Sequence, residues 1–233
     1  MLNSTKSTHR SIMLKVIREI YTNRFLGQNL GFKGGTAAYF FYDLPRFSVD
    51  LDFDLIEPNE QKADRVFRQI REILTPLGDI SDENAKYNTL LLELNYKKGE
   101  RNLKVEVSTR LQNNIYEIKE LYGLSCKVMR KDYMFARKLI ALTRRNKIAS
   151  RDLYDINFFL NQNWEIAPLP IEEEINTSVR EYLDEVIEFI EKNFTQKNVL
   201  DGVGDLLDEK QQKDVKLKQR LIDETIFALK SRV

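Results

Sequence analysis

Histidine and cysteine are almost absent from this chain: there is one of each, His9 and Cys126, in 233 residues. A zinc site needs several such ligands, so zinc chemistry is excluded. Ser–His or Cys–His catalysis would have to rest on His9. That residue sits in the polar opening stretch MLNSTKSTHR and is expected to be frayed or exposed. A lone cysteine makes no internal disulfide, and Cys126 reads as a small hydrophobe in a reducing compartment. No apolar run approaches the ~20 residues of a membrane span. No signal-peptide core follows the polar opening, so a cytoplasmic protein without a membrane partner is expected. A large charge excess is missing too, with 37 Lys and Arg against 36 Asp and Glu. Carboxylates with a hard, oxygen-seeking cation are the remaining route to chemistry.

Hydrophobic residues make up 42% of the chain, enough to bury a core in one large domain or two small ones. Charge is unevenly placed. Between Lys127 and Arg151 there are nine basic residues and one acidic, whereas from Ile171 onward there are ten basic and fifteen acidic. Such asymmetry suggests different jobs for the two regions. Residues 9–26 have helical spacing (Ile12, Val16, Ile20). Asn29–Lys33 predicts a short strand entering a Gly-Gly turn, and Thr36–Tyr42 a helix closed by Pro45. Ser48–Ile56 alternates strictly, with Val49, Leu51, Phe53 and Leu55 facing one way and Asp50, Asp52 and Asp54 the other. Glu60–Leu74 predicts an amphipathic helix. Thr89–Tyr96 and Leu103–Thr109 predict two strands joined through Lys97-Lys98-Gly99-Glu100. Beyond about residue 130 strand signals stop. Lys131–Asn146, Ser150–Asn161, Ile171–Phe194 and Glu209–Lys230 read as helices, with breaks at Pro168 and Pro170 and at Gly202 and Gly204. The expectation is an α+β core, a small mixed sheet flanked by helices over residues 1–128, followed by a helical domain over 129–233.

Asp50 and Asp52 lie at i and i+2 of a strand and so point to one face. Magnesium is commonly held by one or two carboxylates plus substrate phosphates, and a pair of ions can clamp a phosphoryl displacement. Glu106, in LKVEV, is the natural third carboxylate. Asp54 continues the polar face and is read as peripheral. Gly34, Gly35 and Thr36 precede the aspartates. The glycines let backbone approach phosphate, the Thr36 hydroxyl can donate to it, and a helix starting there adds its positive end. Each piece alone has a plainer reading, since alternating Asp often marks a solvated face and Gly-Gly-Thr a simple strand-to-helix turn. Their order favours a site for a nucleoside triphosphate and magnesium. Arg130, Lys131, Arg137, Lys138, Arg144 and Arg145 form a basic stripe opposite Val128, Phe135, Leu139 and Leu142. Such a stripe is either a solvated face or a track for a nucleic-acid backbone. Ser150 is a fair helix cap, and Asp152 and Asp155 behind it fit ordinary capping chemistry.

In this order, KGGTA at 33–37, RFSVDLDF at 46–53, LKVEV at 103–107, ARKLIALTRR at 136–145 and RDLYDI at 151–156 resemble the AbiEii/AbiGii toxin family. The resemblance implies a polymerase-beta-like nucleotidyltransferase core and the toxin half of a toxin–antitoxin or abortive-infection system, hence a cognate antitoxin. Some members transfer nucleotides to tRNA acceptor ends. By position it implies phosphate binding by Gly34, Gly35 and Thr36, and magnesium binding by Asp50 and Asp52. Lys104 and Glu106 would occupy the family's Lys-x-Asp motif, with Glu106 where Asp is usual. Lys138 would contact the triphosphate, and Arg151, Asp152 and Asp155 would form the fourth motif, whose acidic residues are needed for activity. The expected function is magnesium-dependent transfer from an NTP to an RNA 3′ hydroxyl, with Arg130, Lys131, Arg137, Arg144 and Arg145 along the RNA. A protein or small-molecule acceptor, or a nucleotide-binding module without chemistry, are the alternatives.

Overall fold

The computed structural model describes residues 2–86, 88–203, 206–207 and 217–233. Gly204 and residues 209–216 of the expected last helix lie outside them. The chain separates into two compact units. The first runs to Asp43 and includes Phe47–Gln112 and Tyr116–Met129; the second takes Leu44–Arg46, Asn113–Ile115 and the chain from Arg130 onward.

The first unit is a mixed seven-stranded sheet with helices. In chain order it holds α1 (Leu2–Thr22), α2 (Arg24–Asn29), β1 (Leu30–Lys33), α3 (Gly34–Phe41), β2 (Asp50–Leu55) and α4 (Glu60–Leu74). After these come β3 (Asp79–Lys86), β4 (Thr89–Asn95), β5 (Leu103–Ser108), β6 (Tyr116–Leu121) and β7 (Leu124–Met129). The spatial order is β3-β4-β5-β2-β1-β7-β6. β2 pairs antiparallel with β1 and parallel with β5, which places it at the sheet centre. Met13, Val16, Ile17 and Ile20 follow helical spacing on α1 and are fully buried, as are Leu51 and Phe53 of β2. Phe53 stacks on Phe32 of β1 with ring centroids 4.9 Å apart. Burial of such side chains contributes about 1.5–3 kcal/mol each and fixes which face of β2 is left for the aspartates.

The expected helix over 9–26 is two helices. Asn23 leaves the helical conformation and its side chain accepts from the Phe25 and Leu26 amides, capping a new start. Glu60–Leu74 forms as expected, capped by Asn59 Oδ1 on the Lys62 amide at 2.9 Å. Strands β3, β6 and β7 add to those expected from the sequence.

The second unit is helical: α5 (Lys131–Arg144), α6 (Ser150–Asn161), α7 (Pro168–Ile175), α8 (Val179–Asn193) and α9 (Leu217–Lys230). Its core stacks Trp164 on Phe159 at 4.1 Å, with Phe135 edge-on to Phe159. Pro168 does not interrupt a helix; it opens α7, where a missing N–H costs nothing. Asn176, left-handed at φ 62°, ends α7. Ser178 and Glu181 then start α8 with a reciprocal capping box, so the expected helix over 171–194 is also two. No helix among the described residues is long and apolar enough to cross a membrane.

Candidate active site

The glycine turn and the aspartates meet at one place. Gly34 has φ +76°, and a Cβ there would sit 2.5 Å from Asp52 Oδ2. Only a residue without a side chain allows both that backbone and that approach. Lys33 lies opposite Asp52 across the β1–β2 ladder. On the other side, parallel pairing sets Asp50 beside Lys104 and Asp52 beside Glu106. Cross-strand neighbours share a face, so Lys33, Asp50, Asp52, Lys104 and Glu106 all belong to the polar side of the central strands. Asp50, Asp52 and Glu106 are half-buried. Lys104 is 3.6 Å from Glu93 of β4.

Thr36 is fully buried. Its hydroxyl donates to the backbone carbonyl of Asp50 and lies 2.8 Å from Ser48 Oγ. It therefore ties the first turn of α3, where Gly35 also lies, to the start of β2. Asp54 is more central than its sequence position suggests. It is 3% exposed, Lys33 Nζ donates to its Oδ1, and the Tyr116 hydroxyl donates to its Oδ2 at 2.7 Å.

His9 departs from the sequence expectation. It is 2% exposed, with Nε2 2.8 Å from the Val49 carbonyl and Nδ1 2.7 Å from the Tyr96 hydroxyl. A carbonyl only accepts, so Nε2 carries the proton and Nδ1 accepts from Tyr96. Burial, opposed by the Val49 hydrogen bond, lowers its pKa from 6.5 and favours this neutral form. The only histidine thus braces the residue before Asp50.

Asp50, Asp52 and Glu106 offer carboxylate oxygen alone, the donor set of a hard divalent cation, and the missing Cβ of Gly34 leaves room above Asp52. No group of three His, Cys, Asp or Glu residues among the described ones converges as a metal cluster by itself.

In the second unit, the residues expected around the triphosphate form a buried ionic cluster. Arg46 grips Asp155 with two hydrogen bonds of 2.6 Å, from Nε to Oδ1 and from Nη2 to Oδ2. Lys138 Nζ sits 2.9 Å from Asp152 Oδ1 and 3.1 Å from Asp155 Oδ2. Asp152 and Asp155 are fully buried and Lys138 is 9% exposed. Burial alone would raise Asp155, but the charges of Arg46 and Lys138 overcome it and hold the carboxyl below the usual range. Asp152 Oδ2 makes no hydrogen bond, and Arg145 Nε is 3.3 Å away as an ion pair without the alignment of one. Arg46 was not singled out in the sequence; an arginine in a loop shows no sign of a partner 109 residues away. Ser150, expected as a cap, instead donates its hydroxyl to the Asn198 carbonyl at 2.8 Å, and Ala149 holds the cap position. Arg151 lies in the first turn of α6.

The arginines of the α5 basic stripe are paired. Arg130 binds Asp132, Arg137 Nη1 lies 2.5 Å from Glu174, and Arg144 Nη2 lies 2.9 Å from Glu185. Lys131 is exposed at the start of the helix. Acidic residues of α7 and α8, spread through the C-terminal sequence, match Arg137 and Arg144.

A mixed sheet with same-face carboxylates on its central strand, met by a glycine turn, is the arrangement of a nucleotidyltransferase. The family model for the nucleotidyl transferase AbiEii toxin of a type IV toxin–antitoxin system matches residues 16–226, and the chain belongs to that family. Membership implies a cognate antitoxin. No curated protein matches the chain. Among solved structures, the JHP933 protein of Helicobacter pylori is similar at 19% identity and TM-score 0.60, over 97% of this chain and 92% of that one. A second H. pylori protein, provisionally assigned as a nucleotidyltransferase, is similar at 20% identity and TM-score 0.59, over 96% of this chain and 94% of that one. At these identities the likeness concerns the fold.

Proposed function

We propose that the protein moves a nucleotide from a nucleoside triphosphate to the 3′ hydroxyl of an RNA, a tRNA in particular, with magnesium as its metal. The observation that carries this reading is the approach of Asp52 to Gly34, so close that a Cβ would fall 2.5 Å from Oδ2, which joins a backbone able to approach phosphate to a carboxylate able to share a cation with it. Gly34 and Gly35 admit the triphosphate at the start of α3, where the helix end favours negative charge. Magnesium held by Asp50 and Asp52, with Glu106 as a third donor, would neutralise the phosphate oxygens. Glu106, or Asp52, takes the proton of the acceptor hydroxyl as its oxygen bonds to the α-phosphorus. The bond to pyrophosphate breaks and pyrophosphate departs with the electron pair. Positioning and charge neutralisation supply most of the rate in such transfers.

A protein hydroxyl is the second reading for the acceptor. The pairing of Arg137 with Glu174 and of Arg144 with Glu185 favours it, because paired cations release few counterions from RNA. The test incubates the protein with magnesium and each of four α-labelled nucleotides, with bacterial RNA and with cell protein, beside Asp52→Asn. Label on tRNA-sized RNA, lost in the variant, is expected. Label on protein alone would replace the acceptor, and equal labelling by Asp52→Asn would refute the site.

A further inference from the structure

Asp54 stands outside the transfer chemistry, yet it is buried more deeply than Asp50, Asp52 or Glu106. Both of its oxygens are bound, Oδ1 by the Lys33 ammonium and Oδ2 by the Tyr116 hydroxyl at 2.7 Å. Gly31 lies opposite Asp54 in register, and a Cβ there would run into the Tyr116 ring. Strands β1, β2 and β6 therefore each give up a position to hold one ammonium. Stability alone does not ask for this, since apolar side chains can replace a buried ion pair at little loss.

We propose that Lys33 is a phosphate-binding residue of the transfer reaction, and that Asp54 and Tyr116 are positioning residues that fix its ammonium on the carboxylate face of β2; this rests on the nucleotidyltransfer reading above. Lys33 precedes Gly34 directly and lies opposite Asp52. Its side chain is 25% exposed, so Lys33 is not sealed in the core as Asp54 is. An ammonium has three donors, of which Asp54 takes one. Three carboxylates on one face repel a polyphosphate, and a fixed cation among them offsets that repulsion. Lys33 would accompany the triphosphate in the ground state and the departing pyrophosphate after the phosphorus–oxygen bond breaks. Asp54 keeps the long side chain from folding back onto Asp52.

The test compares wild type, Lys33→Met, Lys33→Arg, Asp54→Asn and Tyr116→Phe in the full chain. KM and kcat for the nucleoside triphosphate are measured together with inhibition by inorganic tripolyphosphate, which isolates the phosphate contact. Loss of one charge-assisted contact is expected to raise KM and the tripolyphosphate inhibition constant about 10- to 100-fold in Lys33→Met. Lys33→Arg should recover part of this, and the Asp54 and Tyr116 variants should fall between. Lys33→Met/Asp54→Leu, a neutral pair, covers the case in which Lys33→Met alone does not fold. It should melt near wild type and still bind tripolyphosphate weakly. A neutral pair with wild-type KM, or an intact Lys33→Met with wild-type constants, would overturn the inference and leave the transferase reading standing. A wild type that neither transfers a nucleotide nor binds one overturns that reading and this one with it.

Discussion

Replacing Asp155 by Asn should be among the most damaging single changes in the second unit. Asp155 is fully buried and receives two 2.6 Å hydrogen bonds from Arg46, with Lys138 at 3.1 Å. The amide removes the charge that matches Arg46, which is itself only 3% exposed. Breaking a buried pair by deleting one partner costs about 3–5 kcal/mol, because the remaining charge stays desolvated. Against a usual stability of about 5–15 kcal/mol this is a large fraction. At about 2–4 °C per kcal/mol for a chain of this size, the melting temperature should fall by ~6–20 °C. Thermal melts followed by circular dichroism at neutral pH measure it. Arg46→Met should cost a similar amount, whereas Arg46→Met/Asp155→Leu should recover most of either loss, since Lys138 keeps Asp152 at 2.9 Å. The pH dependence has a fixed sign. The folded carboxyl lies below its ordinary value of 3.8, so its contribution is complete above that pH and is lost as pH falls through the folded value. A loss under ~1 kcal/mol for Asp155→Asn, or a double variant that costs the sum of the singles, would refute a tightly coupled buried pair.

Gly34→Ala should abolish transfer, because its Cβ would fall 2.5 Å from Asp52 Oδ2. Gly99→Ala, at φ +83° with nothing nearby, should keep activity and lose only ~1–2 kcal/mol in urea unfolding. His9→Phe leaves the Val49 carbonyl and the Tyr96 hydroxyl without their partner and should cost about 1–3 kcal/mol. The wild-type His9 pKa is lowered on folding, so its contribution is complete above 6.5 and is lost as pH drops below it; urea melts on both sides of that pH should show this limb in wild type and not in His9→Phe. Glu174→Gln/Glu185→Gln releases Arg137 and Arg144. RNA affinity should rise, and the slope of log affinity against log salt should steepen by about 1.4–1.8; an unchanged slope would remove α5 from the RNA path.

Much of the sheet centre was legible because hydrophobic alternation is strong where one face is buried. β2 and β5 follow that pattern, and α4 carries a clear apolar stripe over Val66, Ile70 and Leu74. β3 was not legible. Its sequence, DISDENAK, lies at the sheet edge with most residues exposed, so no buried face imposes alternation. β6 is the other edge, and β7 beside it reads LSCKVM, too short and mixed to separate from a loop. Helix starts were missed where caps outrank periodicity. The Ser178-x-x-Glu181 capping box was present in the sequence and marks the true start of α8. His9 also carried a signal. It lies four residues before Met13 on the buried stripe of α1, so continuing the period backwards would have put it inside.

The site divides along the same line. Asp50, Asp52 and the glycines could be read together because a strand's period and a turn's chemistry are local. Pairing is not local, and it decides what each charged group is free to do. Thr36 is positioned to donate to phosphate by sequence, but the return of the chain at Ser48 and Asp50 gives its hydroxyl an internal acceptor. Lys138 stands on a basic stripe by sequence, yet α6 brings two carboxylates within 3.1 Å of its ammonium. Lys33 opens the KGGTA motif without a role that sequence alone assigns, and the β1–β2 register sets it against Asp52 with Asp54 as its anchor. Residue type and spacing therefore select the chemistry, whereas strand register and helix packing select which of several cations can perform it. On that ground the cation to test first is Lys33, partly exposed on the carboxylate face, rather than Lys138, whose charge is already matched within its own unit.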